Sequence, residues 1–142
     1  MQENEVVTSV LVDAPVNRVW RVLVAFDQYK RWHPTLEVIA GEPVPGSPIH
    51  MRIAAGAPAE RVAEGTVLEA TENRILRWEG GIPGMLWGDH RFELVERDGR
   101  THLTNSETFT GSMVDQAMAS GREILVAEFE AANQALKAYT EN

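Results

Sequence analysis

The sequence predicts an α+β fold: a curved antiparallel sheet of about six to seven strands, two short helices after the first strand, and one long helix at the C-terminus. Three observations carry that reading. Short alternating runs punctuated by Pro, Gly or Asn fill the middle of the chain and read as an antiparallel meander. Residues 113 to about 139 keep a helical apolar period without a break. Asp98-Gly99 separates two alternating segments and marks a two-residue hairpin, because both central positions of such a turn need positive φ, which Gly and Asp tolerate.

In chain order, residues 6–12 alternate and are rich in β-branched side chains, as a first strand requires. Pro15 then opens a helix, where its missing N–H costs nothing. Val16, Val19, Trp20, Leu23 and Phe26 form its apolar stripe, while Asn17, Arg18 and Arg21 face out. A second helical turn over residues 27–32 stops near Pro34, which disfavours helical backbone at His33. Strands follow over residues 36–41, 49–54, 61–71 and 74–79, with a loop at 55–59 around Gly56 and Pro58. A more flexible loop is expected at Gly80, Gly81, Pro83 and Gly84, carrying Ile82, Met85 and Leu86.

The hairpin over residues 87–111 can be reconstructed pair by pair. Closing on Arg97 and Arg100, it sets Leu94 against Leu103, Phe92 against Asn105, His90 against Glu107 and Gly88 against Phe109 on one face. Val95/His102, Glu93/Thr104, Arg91/Ser106 and Asp89/Thr108 fall on the other, which is expected to face solvent. A three-residue turn would slip the register by one and mix the apolar and polar sets. The preferred register makes His90/Glu107 a non-hydrogen-bonded pair, where side chains come closest.

The stripe of the long helix reads Val114, Ala117/Met118, Gly121, Leu125, Glu128/Phe129, Ala132, Leu136 and Tyr139. Its second half is bulky and its first half small or flexible. Gly121 costs a helix about 1 kcal/mol relative to Ala, which points to a close approach or a space kept open.

A chain of 142 residues with 44% hydrophobic content is expected to form one domain over residues 1–142 with a real core. Its net charge of −8 argues against nucleic acid and against docking on anionic lipid, both of which call for basic surfaces. The absence of cysteine excludes disulfides, thiolate metal sites and a cysteine nucleophile. The polar, acidic stretch of residues 1–5 lacks the features of a signal peptide, and no run reaches membrane-spanning length, so a soluble cytoplasmic protein without membrane insertion is the expectation.

The element order resembles the helix-grip fold of the START/Bet v 1-like (SRPBCC) superfamily. Ala14-Pro15 with Val19-Trp20 and Phe26 is similar to the family's first helix, and Tyr29 with Trp32-His33-Pro34 to its second-helix ending. Gly65-Thr66-Val67 before Leu76-Arg77-Trp78 resembles its central strands. His90-Arg91-Phe92-Glu93-Leu94, Asp98-Gly99-Arg100-Thr101 and Glu107-Thr108-Phe109-Thr110-Gly111 resemble the closing hairpin of its polyketide cyclase/dehydrase-like branch. Relatives with this fold include lipid carriers, hormone and secondary-metabolite binders, aromatase/cyclases and chaperone cofactors, so fold alone does not decide function. The resemblance implies a sheet gripping the long helix, with a cavity between them for a mostly apolar small molecule.

His90, Glu107 and Asn105 are the candidate catalytic group if the protein is an enzyme, with His90 moving the proton, Glu107 orienting it and Asn105 polarising a carbonyl. The competing reading is a buried structural pair that holds the hairpin in register. Three polar groups on an apolar face need partners, which a ligand or water would supply. The expected ligand-binding set is Trp32, His33, Trp78, Met85, Trp87, His90, Phe92, Asn105, Glu107, Phe109, Met118 and Gly121. Trp32 and Trp87 are placed at the cavity wall or mouth because indoles favour half-wet positions. Trp20 reads as core, and His50 and His102 fall on outward strand positions. The four histidines lack zinc-type spacing, so no metal and no cofactor is expected.

Two functions follow, binding of a hydrophobic, aromatic or polyketide-like small molecule, or cyclase, aromatase or dehydratase chemistry on one. A chaperone-cofactor or other protein-interaction role ranks last, since no large apolar surface can be read from the chain. The expected state is a monomer or homodimer.

Overall fold

The computed structural model describes residues 4–142. The first three residues of the polar N-terminal stretch lie outside the described residues. Strand β1 (Glu5–Val12) is followed by α1 (Val16–Val24), a 3₁₀ turn at Phe26–Gln28 and α2 (Tyr29–Trp32). The chain then meanders through β2 (Leu36–Gly41), β3 (Pro48–Ile53), β4 (Arg61–Thr71), β5 (Ile75–Ile82), β6 (Leu86–Arg97) and β7 (Arg100–Thr110) before α3 (Val114–Glu141). The seven strands form one antiparallel sheet in the order β1-β7-β6-β5-β4-β3-β2. This is the helix-grip arrangement that the element order predicts.

Helix α1 begins after Pro15, whose φ of −68° suits a helix entry. It buries Val19, Trp20 and Leu23. Its C-terminal carbonyls need outside partners, and the Tyr29 hydroxyl donates to the Leu23 carbonyl at 2.6 Å. Tyr29 is fully buried, and burial holds its phenol protonated. That bond ties the two short helices together above the sheet.

Register shifts between Val38 and Ala40 in β2 and between Val67 and Glu69 in β4 bend the sheet, as an extra residue on one strand does. The core lies on the face toward the helices, where Leu23, Tyr29, Ile49, Leu76, Leu103 and Leu136 are almost completely enclosed. The β6–β7 hairpin closes on Arg97 and Arg100, with Asp98 and Gly99 at φ 53° and 79°, so the two-residue turn and its register stand as read from the sequence.

Three expectations need correction. Gly80 and Gly81 are not loop. They pair with Gly88 and Trp87 inside β5–β6, and the turn is confined to residues 83–85. Ladder hydrogen bonds override the low strand propensity of glycine there. Tyr139 is 39% exposed, and the buried position of the last turn is Thr140. Ser106 points to the outer face, as expected, yet is buried because Val7 and Arg91 flank it on the adjoining strands.

Candidate functional site

Strand alternation sends Gly88, His90, Phe92 and Leu94 of β6 and Leu103, Asn105, Glu107 and Phe109 of β7 toward the helices. Position 90 faces position 107 across the ladder. His90 Nδ1 lies 3.5 Å from Glu107 Oε1, and His90 Nε2 lies 2.7 Å from Asn105 Oδ1.

The His90 ring is held on both sides. Phe92 stacks on it with ring centres 4.8 Å apart, and Phe129 of α3 does so at 5.1 Å, while Trp78 of β5 packs at 5.1 Å. This apolar surround makes charge expensive. Burial lowers the imidazole pKa to about 4, outweighing the Asn105 hydrogen bond. Burial also raises the Glu107 carboxyl to about 8, with the Asp89 charge adding to the shift. At neutral pH the pair is therefore a neutral imidazole beside a protonated carboxyl, and not an ion pair.

The pair is deep but not sealed, since the His90 and Glu107 side chains keep 12% and 17% of their surface open. The half of α3 that follows its start is equally open. Ala117, Met118, Gly121 and Leu125 are only half-buried, whereas Phe129, Ala132, Asn133, Leu136 and Thr140 are enclosed. A Cβ built at Gly121 would meet no atom within 4 Å. The helix thus has open space beside Gly121 and is more enclosed from Phe129 onward.

The other expected site residues divide. Phe109 is half-buried on the same face as Glu107. Trp78 and Phe92 are 3% exposed and form a packed wall behind His90, with Trp78 also set against Phe26 and Tyr29. Met85 is 43% exposed at the β5–β6 turn, and its carbonyl accepts from the Met113 N–H at 2.8 Å, joining that turn to the start of α3. Trp87 is a correction. It occupies the strand phase opposite to His90, and its indole N–H donates to Glu79 Oε2 on the outer face at 3.1 Å.

His33, expected in the ligand-binding set, is half-buried at the end of α2. Its Nδ1 accepts from the N–H groups of Thr35 and Leu36 at 3.2 and 3.0 Å. Burial, with the nearby His90, lowers its pKa to about 3. Trp32 stacks on Tyr139 at 6.4 Å, and its buried indole N–H has no hydrogen-bond partner among the described residues. Trp32 and Gly121 therefore stand near opposite ends of α3. A shallow groove of about 210 Å³ beside Tyr139, lined by Arg18, Arg21, Val22, Ala25 and Gln28, contains none of the site's polar residues.

Two members of the site were not foreseen. Asn133 of α3 and Thr8 of β1 are buried and bonded to each other at 2.9 Å, and Asn133 Oδ1 accepts from Asn105 Nδ2 at 2.9 Å. The signal existed, for both are polar residues in an apolar phase: Thr8 between Val6 and Val10, and Asn133 between Phe129 and Leu136. Among the described residues no cluster of three His, Asp or Glu could hold a metal, and no helix is long and apolar enough to cross a membrane.

The fold recurs in solved structures. Protein CV1439 from Chromobacterium violaceum superposes with a TM-score of 0.81 at 16% identity, over 98% of this chain and 99% of that one. The Zhui aromatase/cyclase from Streptomyces sp. R1128 gives 0.75 at 16% identity, over 96% and 93%. StfQ, a di-domain aromatase/cyclase of the steffimycin biosynthetic pathway, gives 0.78 at 15% identity, over 97% of this chain and 51% of that one. No curated protein is similar enough in sequence to match. A family model does match, over residues 3–141, so the chain belongs to the polyketide cyclase/dehydrase and lipid transport family.

Proposed function

We propose that the protein binds a hydrophobic, aromatic or polyketide-like small molecule between the first half of α3 and strands β6 and β7. The observation that carries this reading is the His90/Glu107 pair, two neutral polar groups that stay partly open inside an apolar surround. Sites of this kind combine apolar walls with a few directed polar groups. Phe109, Met118 and Gly121 supply the wall, and Asn105 holds His90 from behind. Family membership supports a ligand-binding or cyclase role.

Native mass spectrometry of protein purified from its own host tests the reading. An apolar small molecule is expected to travel with the wild type and to be depleted in Glu107→Ala. No associated molecule, together with no binding to a panel of aromatic and polyketide-like compounds, would sink it.

A second reading, cyclase or dehydratase chemistry, is favoured by one feature. Glu107 is held protonated and His90 unprotonated, so an acid and a base stand side by side at neutral pH. Glu107 would give a proton to a carbonyl oxygen and His90 Nδ1 would take one from carbon or hydroxyl. Under this reading His90→Gln keeps most of the affinity and lowers turnover by about 10² to 10⁴. Loss of affinity in that variant, with no product from any bound compound, leaves binding alone.

A further inference from the structure

Polar side chains from β1, α3, β7 and β6 form one directed chain of hydrogen bonds, and its direction can be read from one end. The Thr8 hydroxyl lies 2.8 Å from the backbone carbonyl oxygen of Asn105. A carbonyl only accepts, so the hydroxyl donates there and accepts from Asn133 Nδ2 at 2.9 Å. Asn133 Oδ1 is thereby turned toward Asn105 Nδ2 at 2.9 Å. That leaves Asn105 Oδ1 as the atom facing His90 Nε2 at 2.7 Å. An amide oxygen cannot donate, so Nε2 carries the ring proton. In a neutral imidazole the other nitrogen then presents a lone pair.

We infer that Thr8 and Asn133 are positioning residues that act through Asn105 to lock His90 in its Nε2–H tautomer, so that Nδ1, the nitrogen facing Glu107, is held as an acceptor. The inference rests on the proposed binding site and adds how its hydrogen-bonding polarity is set. Asn105 and Asn133 are each 3% exposed and Thr8 is 9% exposed, so water is poorly placed to substitute for a lost partner. Turning either amide would set donor against donor or acceptor against acceptor. The opposite tautomer would aim an N–H at Glu107 and suit an ionised carboxylate. The enforced one suits the protonated carboxyl that burial produces.

Long-range ¹H–¹⁵N correlation spectra at pH 7 report which ring nitrogen of a histidine is protonated, and His90→Gln assigns the signals by their loss. The wild type is expected to show the Nε2–H form. Thr8→Val deprives the Asn133 amide of its acceptor, frees both amides to turn, and is expected to populate the Nδ1–H form. Thr8→Ser returns the hydroxyl and is expected to restore the wild-type spectrum. An Nδ1–H wild type would overturn the inference, as would a folded Thr8→Val protein with an unchanged tautomer. Should that variant not fold, Asn133→Leu removes the same link and is read in the same way. The spectra need no ligand, so failure of the binding proposal would leave this result unaffected.

Discussion

Gly88 and Glu107 share one space: an oxygen and the carboxyl carbon of Glu107 lie where a side chain at position 88 would begin. Gly88 is directly opposite Phe109 and two residues from His90 on the same face. The missing side chain at 88 is what allows the carboxyl to lie over β6 beside the imidazole. This glycine serves the site through its lack of a Cβ and needs no special backbone angle.

Gly88→Ala should therefore displace the Glu107 carboxyl and leave the fold in place. The obstructing atoms are the far end of a flexible side chain, which moves more easily than backbone. A fall in Tm of a few degrees is expected, corresponding to about 1 kcal/mol. Carboxyl and imidazole resonances of Glu107 and His90 should both shift. Unmoved resonances in a folded Gly88→Ala protein would show that the space is not shared.

Stability should peak near pH 6.5. His90 and His33 have folded pKa values of about 4 and 3, below their ordinary 6.5, so the unfolded chain binds more protons through that window and stability rises with pH. Glu107 works in the opposite sense. Its folded value of about 8 exceeds its ordinary 4.5, so the folded chain keeps a proton that the unfolded chain releases, and stability falls from about pH 4.5 to 8. Two histidines outweigh one carboxyl below pH 6.5, and above it the carboxyl acts alone. The decline should be roughly 1 kcal/mol per pH unit. Urea melts across pH 5 to 8 check this, and Glu107→Gln should abolish the decline on the alkaline side.

Gly121→Leu should fold and lose ligand capacity. A Cβ there meets nothing within 4 Å, so the larger side chain enters open space. Replacing a helical glycine also contributes about 1 kcal/mol of helix propensity. Fluorescence titration with 1-anilinonaphthalene-8-sulfonate should show weaker binding with an unchanged or higher Tm. Unaltered dye binding would place the pocket elsewhere.

Gly65→Ala should be the most damaging of the glycine changes. Its Cβ would run into the backbone carbonyl of Glu79, which cannot swing aside, where β4 and β5 approach closely. A loss of about 3 kcal/mol or more is expected, seen as a large fall in Tm or as insoluble protein. A Tm within a few degrees of wild type would contradict the close approach.

Much of this was legible in the sequence because strand and helix periods are local properties. The hairpin is the clearest case. A one-residue slip would carry Phe92 and Leu94 out of the core, so alternation and Asp98-Gly99 together specify that His90 meets Glu107. The same parity places Trp87 on the outer face, and the expectation that it lined the cavity set an indole's general preference above its strand phase. Gly80 and Gly81 misled for a different reason, since their place in β5 comes from pairing with β6 and not from propensity.

The site divides along the same line. The chain by itself determined which residues face inward, because facing follows from a repeat of two or 3.6 residues along one segment. Tertiary structure alone decided what those residues become. Thr8 and Asn133 are 125 positions apart, and no local pattern announces that one will accept a hydrogen bond from the other. The protonation of Glu107 and the neutrality of His90 depend on desolvation, which sums over every element packed around them. Charge in a buried site is a property of the assembled fold, and so the sequence could name the pair without stating that it stands as an acid beside a base.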